Sequence, residues 1–98
     1  MPIVLYSSKG CKHCEDARWT LEKAREELGF ELIEEDVDNP KLKVKDGPNP
    51  LTEMNFTPVV CSAEKEGDEL VIKSCMPGVP TFNELRGLVG RGEKEKGL

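Results

Sequence analysis

The opening stretch of the chain constrains its fold most. Pro2-Ile3-Val4-Leu5-Tyr6-Ser7 is a continuous apolar, β-branched run, the pattern of a strand buried on both faces of a parallel sheet. Ser8-Lys9-Gly10 reads as a short loop. Beyond it Ala17, Leu21, Ala24 and Leu28 recur at helical spacing, with Glu22, Lys23, Arg25, Glu26 and Glu27 on the outer face. An amphipathic helix therefore begins at Cys11-Lys12-His13-Cys14. Gly29 stands where a left-handed residue ends a helix, and Phe30 to Val37 gives a second strand pattern with acidic residues interspersed, read as a solvated strand edge. The result is a β-α-β unit with room for a parallel, right-handed crossover and with the first strand at the sheet centre.

From Asn39 to Asn55 the prolines at 40, 48 and 50 and Gly47 interrupt any long helix, so one or two short helical turns are expected. Thr57 to Ala63 and Leu70 to Cys75 are short apolar runs around a polar stretch from Glu64 to Glu69, the pattern of an antiparallel hairpin. After Pro77-Gly78-Val79-Pro80, Thr81 and Glu84 have capping-box spacing, and Phe82, Leu85, Leu88 and Val89 supply the apolar face of a final helix. Arg91 to Leu98 is charged and reads as a frayed, flexible tail. Residues 1–90 form one domain, since a chain this short supports a single compact core.

The net charge of -5 argues against a phosphate-binding surface, and the basic run Lys41 to Lys45 is broken by Leu42 and Val44, so nucleic acid is not expected as a partner. No apolar run has the length of a signal peptide or a membrane span, and a cytoplasmic, monomeric protein is expected. Four cysteines in a short chain suit a secreted disulfide framework, but two of these lie three apart and two far downstream. In a reducing compartment a close pair is more often catalytic or metal-binding.

Disulfide exchange needs a thiolate, and a free thiol with a pKa of about 8.5 is mostly protonated at neutral pH. At a helix start Cys11 faces unpaired backbone N–H groups and the positive end of the dipole, which stabilise an anion. Lys12 and His13 add positive charge, making them the candidate thiolate-tuning residues. Cys14 aligns with Ala17 and Leu21 on the buried face, suiting it to resolve a mixed disulfide. Trp19 and Tyr6 read as packing residues.

This element order, with Cys-x-x-Cys at the first strand-to-helix junction and Thr57-Pro58 opening the third strand, resembles the thioredoxin superfamily over nearly the whole chain. The short first half, without an extra N-terminal strand, looks most like a glutaredoxin. The resemblance implies an α/β fold, β-α-β-α-β-β-α, with a four-stranded mixed sheet flanked by helices. It implies a cis peptide at Thr57-Pro58, where the backbone before the proline pairs with an extended substrate. Glutaredoxins usually carry Pro-Tyr between their cysteines, whereas a His before the second cysteine is similar to disulfide isomerases and periplasmic oxidases. For glutathione, family members often use a lysine three residues before the first cysteine and an acidic pair at the last helix. Here Ser8 holds that position, Lys9 comes one later, and Gly78 to Glu84 has no adjacent acidic pair. Lys9, Thr57 and Pro58 are the candidate substrate-binding residues.

The function expected is a thiol-disulfide oxidoreductase, catalytic through Cys11 and Cys14, with no cofactor or metal and with glutathione as an optional substrate or reductant. Its partners are disulfide-containing proteins and a disulfide reductase or low-molecular-weight thiol. Two rivals remain. One is a small zinc protein using Cys11, Cys14, Cys61 and Cys75, which needs four sulfurs within about 2.3 Å of one ion; the other is a redox-inert thioredoxin-like interaction domain. Cys61 and Cys75 fall close to or diagonal from each other in the hairpin, where a bridge is geometrically allowed. In the cytosol they are expected as free buried thiols packed as small hydrophobes.

Overall fold

The structure is a computed structural model that describes residues 2–44 and 57–97, with side chains as far as Val89. The elements are β1 (Pro2–Ser7), α1 (Lys12–Leu28), β2 (Glu31–Asp36), β3 (Val59–Glu66), β4 (Glu69–Pro77) and α2 (Phe82–Gly97). They form one four-stranded sheet in the order β2-β1-β3-β4. The pair β1 and β2 is parallel, while β1 with β3 and β3 with β4 are antiparallel. The apolar run of β1 thus lies at the sheet centre, as its lack of any polar face requires.

Alternation along the strands sorts the core into two halves. Ile3, Leu5 and Val60 face Ala17, Leu21 and Ala24 of α1 and Leu85, Leu88 and Val89 of α2. Val4, Tyr6, Val59, Cys61, Ala63, Leu70 and Ile72 make the opposite face, with Leu42 and Val44 packed against it. The segment after β2 reaches that face by a parallel bridge between Val44 and Leu70, with the Leu70 N–H donating to the Lys43 carbonyl at 2.8 Å. The helical turns expected between Asn39 and Asn55 fall mostly on residues 45–56, outside the described residues; residues 39–44 contain none.

Local signals explain most element ends. Gly29 takes φ +74 and its N–H caps the Arg25 carbonyl at 2.9 Å. The Thr81 N–H donates to Glu84 Oε1 at 2.9 Å and the Glu84 N–H to Thr81 Oγ1 at 3.2 Å, a reciprocal capping box. The hairpin turn is tighter than the polar stretch suggests. Glu64 to Glu66 stay in β3, because Lys65 pairs with Glu31 and Lys73 with Glu64, leaving Gly67-Asp68 as the turn.

The last helix is assigned over Phe82–Gly97, a range that includes most of the charged stretch read as a tail. Three expectations are corrected. Phe82 is 36% exposed rather than part of the apolar face, since it sits at the first position of α2. Trp19 is 64% exposed, with Lys23 Nζ 5.5 Å from its ring centre, and packs against no core. The acidic strand is not simply solvated: Glu35 is 2% exposed, and its carboxylate accepts the backbone N–H groups of Lys41 and Leu42 at 2.9 and 2.8 Å. Beside it in register, Tyr6 is buried and its hydroxyl pKa is pushed up to about 12, chiefly by burial and then by Glu35.

Candidate active site

Cys11 and Cys14 occupy the start of α1. Gly10, at φ +74, turns the chain out of the loop after β1, a conformation in which any side chain is strained. Cys11 follows as the N-cap residue in an extended conformation, and its sulfur accepts the Cys14 backbone N–H at 3.0 Å. A sulfur in this position receives one of the otherwise unpaired helix donors and the positive end of the dipole. Both effects stabilise a thiolate at Cys11. The two residues are joined as a disulfide, with Cα atoms 5.2 Å apart. Cys11 is half-buried and Cys14 only 2% exposed, on the same face as Ala17 and Leu21. Helix periodicity thus separates one approachable sulfur from one shielded sulfur.

A cleft of about 350 Å³ opens beside the pair, lined by Ser8, Gly10, Cys11, Lys12, Cys14, Glu15 and Arg18. Lys12 is exposed on its wall, while Lys9 and His13 are exposed outside that lining. The Thr57-Pro58 peptide is cis. Thr57 Oγ1 lies 2.7 Å from Ser8 Oγ, which brings the proline segment against the loop that precedes Cys11. The Pro58 carbonyl accepts the Gly78 N–H at 2.9 Å, tying the same segment to the end of β4. Of the candidate residues, Cys11, Cys14 and Lys12 line the cleft, and Thr57 meets it through Ser8.

Ser8, Glu15 and Arg18 were not singled out from sequence. Arg18 lies one turn after Cys14 and grips Glu34 of β2 through Nε and a terminal nitrogen, both at 2.6 Å. Ser7 Oγ donates to the same carboxylate at 3.0 Å. The Arg18 hydrogen bond, opposed by burial and helped by Ser7, holds Glu34 below the usual carboxylate range. Arg18 is raised in turn, chiefly by that bond. The helical spacing of Cys14 and Arg18 was a usable signal; the partner strand residue was not.

The other two cysteines correct an expectation. Cys61 and Cys75 are directly opposed in the β3-β4 register and joined as a disulfide, with Cα atoms 4.1 Å apart, rather than standing as free thiols. Hairpin pairing brings them within bonding distance whatever the compartment. The four sulfurs are therefore divided between two bridges, and the four-cysteine zinc cluster is not assembled. Among the described residues, no group of three or more His, Cys, Asp or Glu side chains is placed to hold a metal ion.

No family model and no curated protein matches the chain. Among solved structures it is similar to the periplasmic thioredoxin SoxS from Paracoccus pantotrophus, in reduced form, with a TM-score of 0.58 and 21% sequence identity. That likeness covers 93% of this chain and 97% of the other. The chain has a thioredoxin-like fold.

Proposed function

We propose that the protein is a thiol-disulfide oxidoreductase that cycles Cys11 and Cys14 between dithiol and disulfide. One observation carries the reading: a bridge at a helix N-terminus with one sulfur approachable and hydrogen-bonded to the backbone and the other 2% exposed. In the reducing direction the Cys11 thiolate attacks one sulfur of a substrate disulfide. A Cys11–substrate bond forms, the substrate bond breaks, and the departing thiolate takes up a proton. Cys14, once deprotonated, attacks Cys11 Sγ and expels the second substrate thiolate. Two electrons pass from the dithiol to the substrate, and the Cys11–Cys14 bridge is restored. Run backwards, the same steps oxidise a dithiol.

Lys12 and His13 lower the Cys11 thiol pKa through their positive charge, and Thr57 and Pro58 present backbone to an extended substrate. Lys9 adds a cation at the rim for an anionic substrate group. Substrates are disulfide-containing proteins or low-molecular-weight disulfides, glutathione included, and electrons come from a disulfide reductase or a low-molecular-weight thiol. The protein acts in the cytosol. A Cys61–Cys75 bridge is the kind that persists in oxidising compartments, so thiol trapping in intact cells that finds it fully closed moves the protein to one.

Insulin reduction by wild type, Cys11→Ser and Cys14→Ser tests the cycle. Cys11→Ser should fall by at least about a thousandfold, whereas Cys14→Ser should accumulate mixed disulfides at Cys11. Equal adduct trapping by both variants, or wild-type protein inert toward every disulfide offered, sinks the reading.

A further inference from the structure

The second bridge lies outside the cycle just described, yet it stands in the hairpin whose open end forms the substrate edge. Cys61 is three residues after Pro58 and Cys75 three before Gly78. Between the bridge and the Gly78 N–H to Pro58 carbonyl bond lie two register pairs, Val60 with Met76 and Val59 with Pro77. On the other side, the register shifts between Ser62 and Ala63, so Ser62 faces Ser74 but Ala63 faces Ile72. A hairpin's register is normally handed down from its turn, and a bulge interrupts that transmission. The Gly67-Asp68 turn therefore does not by itself fix the end of the hairpin that meets the active site.

We propose that the Cys61–Cys75 disulfide is a positioning bridge: with β3 held to β1 from Val59 to Ser62, it locks β4 in register on the active-site side of the bulge and so keeps the Gly78 N–H on the Pro58 carbonyl, backing the Thr57-Pro58 edge where an extended substrate pairs beside Cys11. The inference rests on the oxidoreductase reading. It makes Cys61 and Cys75 specificity determinants, since a small disulfide needs only the Cys11 sulfur while a polypeptide needs the edge as well. It also makes the edge sensitive to redox conditions. Cys61 is fully buried and Cys75 half-buried, so a dithiol reductant attacks Cys75 Sγ. Cys61 leaves as the thiolate and takes up a proton. The reductant's second thiol then displaces Cys75, which leaves two protein thiols and an oxidised reductant. Extended substrates lose their docking edge in that state.

The test is steady-state kinetics of Cys61→Ala/Cys75→Ala on insulin and on hydroxyethyl disulfide, with folding checked by circular dichroism. For insulin, KM should rise about tenfold with kcat changed less than about twofold, while the hydroxyethyl disulfide rate stays within about twofold of wild type. An unchanged insulin KM overturns the proposal, and so does an equal loss on both substrates by a folded variant. If the variant does not fold, binding decides. Cys11→Ala/Cys14→Ala protein, keeping only the second bridge, should bind alkylated insulin B chain about tenfold more weakly after that bridge is reduced. Equal affinity in both states overturns the positioning role. Wild-type protein that fails to reduce hydroxyethyl disulfide defeats the oxidoreductase reading instead, a result distinct from any of these.

Discussion

The two disulfides are the same bond in two settings. Cys11–Cys14 closes a single helical turn, and one of its sulfurs accepts a helix N–H at the mouth of a cleft. Cys61–Cys75 joins opposed residues of two strands on the sheet face away from the helices. Breaking the first releases a thiolate into a place built to hold an anion. Breaking the second releases two thiols into an apolar face, where ionisation is disfavoured. Environment, rather than bond type, separates a working pair from a structural one.

The largest effect that tests this contrast is on stability. The second bridge spans 14 residues in sequence, a loop whose closure contributes about 3 kcal/mol in the chain-entropy treatment, against about 2 kcal/mol for the short Cys11–Cys14 loop. Denaturant unfolding of Cys61→Ala/Cys75→Ala should show the greater loss. A larger loss for Cys11→Ala/Cys14→Ala breaks the comparison, because it gives the structural role to the wrong pair.

Alkaline unfolding probes the second bridge's face through Tyr6. Tyr6 lies on it, buried, with its pKa raised from 10.0 to about 12. A raised folded pKa means the stabilisation is whole below pH 10 and is lost as pH rises toward 12. The loss is on the order of a few kcal/mol across that window. Tyr6→Phe should flatten this limb, as followed by chemical denaturation at a series of pH values. A variant as alkali-sensitive as wild type removes Tyr6 from the account.

How much of this contrast was readable in the sequence follows from interaction range. The apolar run of β1, the Cys11 to Cys14 asymmetry, the Gly29 stop and the Thr81-Glu84 cap depend on neighbours within a turn or two, and each is found where its spacing places it. The contacts that complete the site do not. Ser8 and Thr57 are 49 residues apart, and Arg18 and Glu34 are 16 apart on different elements. The Glu35 carboxylate binds a loop that no periodicity announces. The hairpin put Cys61 near Cys75, but the bulge at Ser62 and Ala63 decides that they face each other, and nothing local marks it.

A redox titration compares the two pairs directly. Stabilising the Cys11 thiolate stabilises the reduced form of its pair, whereas the apolar face around Cys61 and Cys75 disfavours their thiolates. Cys11–Cys14 should therefore reduce at a potential at least about 30 mV higher, equivalent to about 1.4 kcal/mol for a two-electron couple. Mass-resolved alkylation across dithiol buffers reads both pairs in one sample. Coincident midpoints contradict the environmental argument.

The smallest effect isolates the charge beside Cys11. His13 is exposed, so water screens its influence on Cys11, and an exposed charge pair is worth only about 0.2–1 kcal/mol. His13→Ala should then raise the Cys11 thiol pKa of reduced protein by about half a unit, followed by thiolate absorbance. The backbone N–H of Cys14 is untouched by this change and should keep the thiol below its free value in the variant. If the His13→Ala thiol instead returns to an ordinary cysteine value, the side chain outweighs the helix end. The contrast between the two bridges would then rest on one residue of the motif rather than on where the fold puts it.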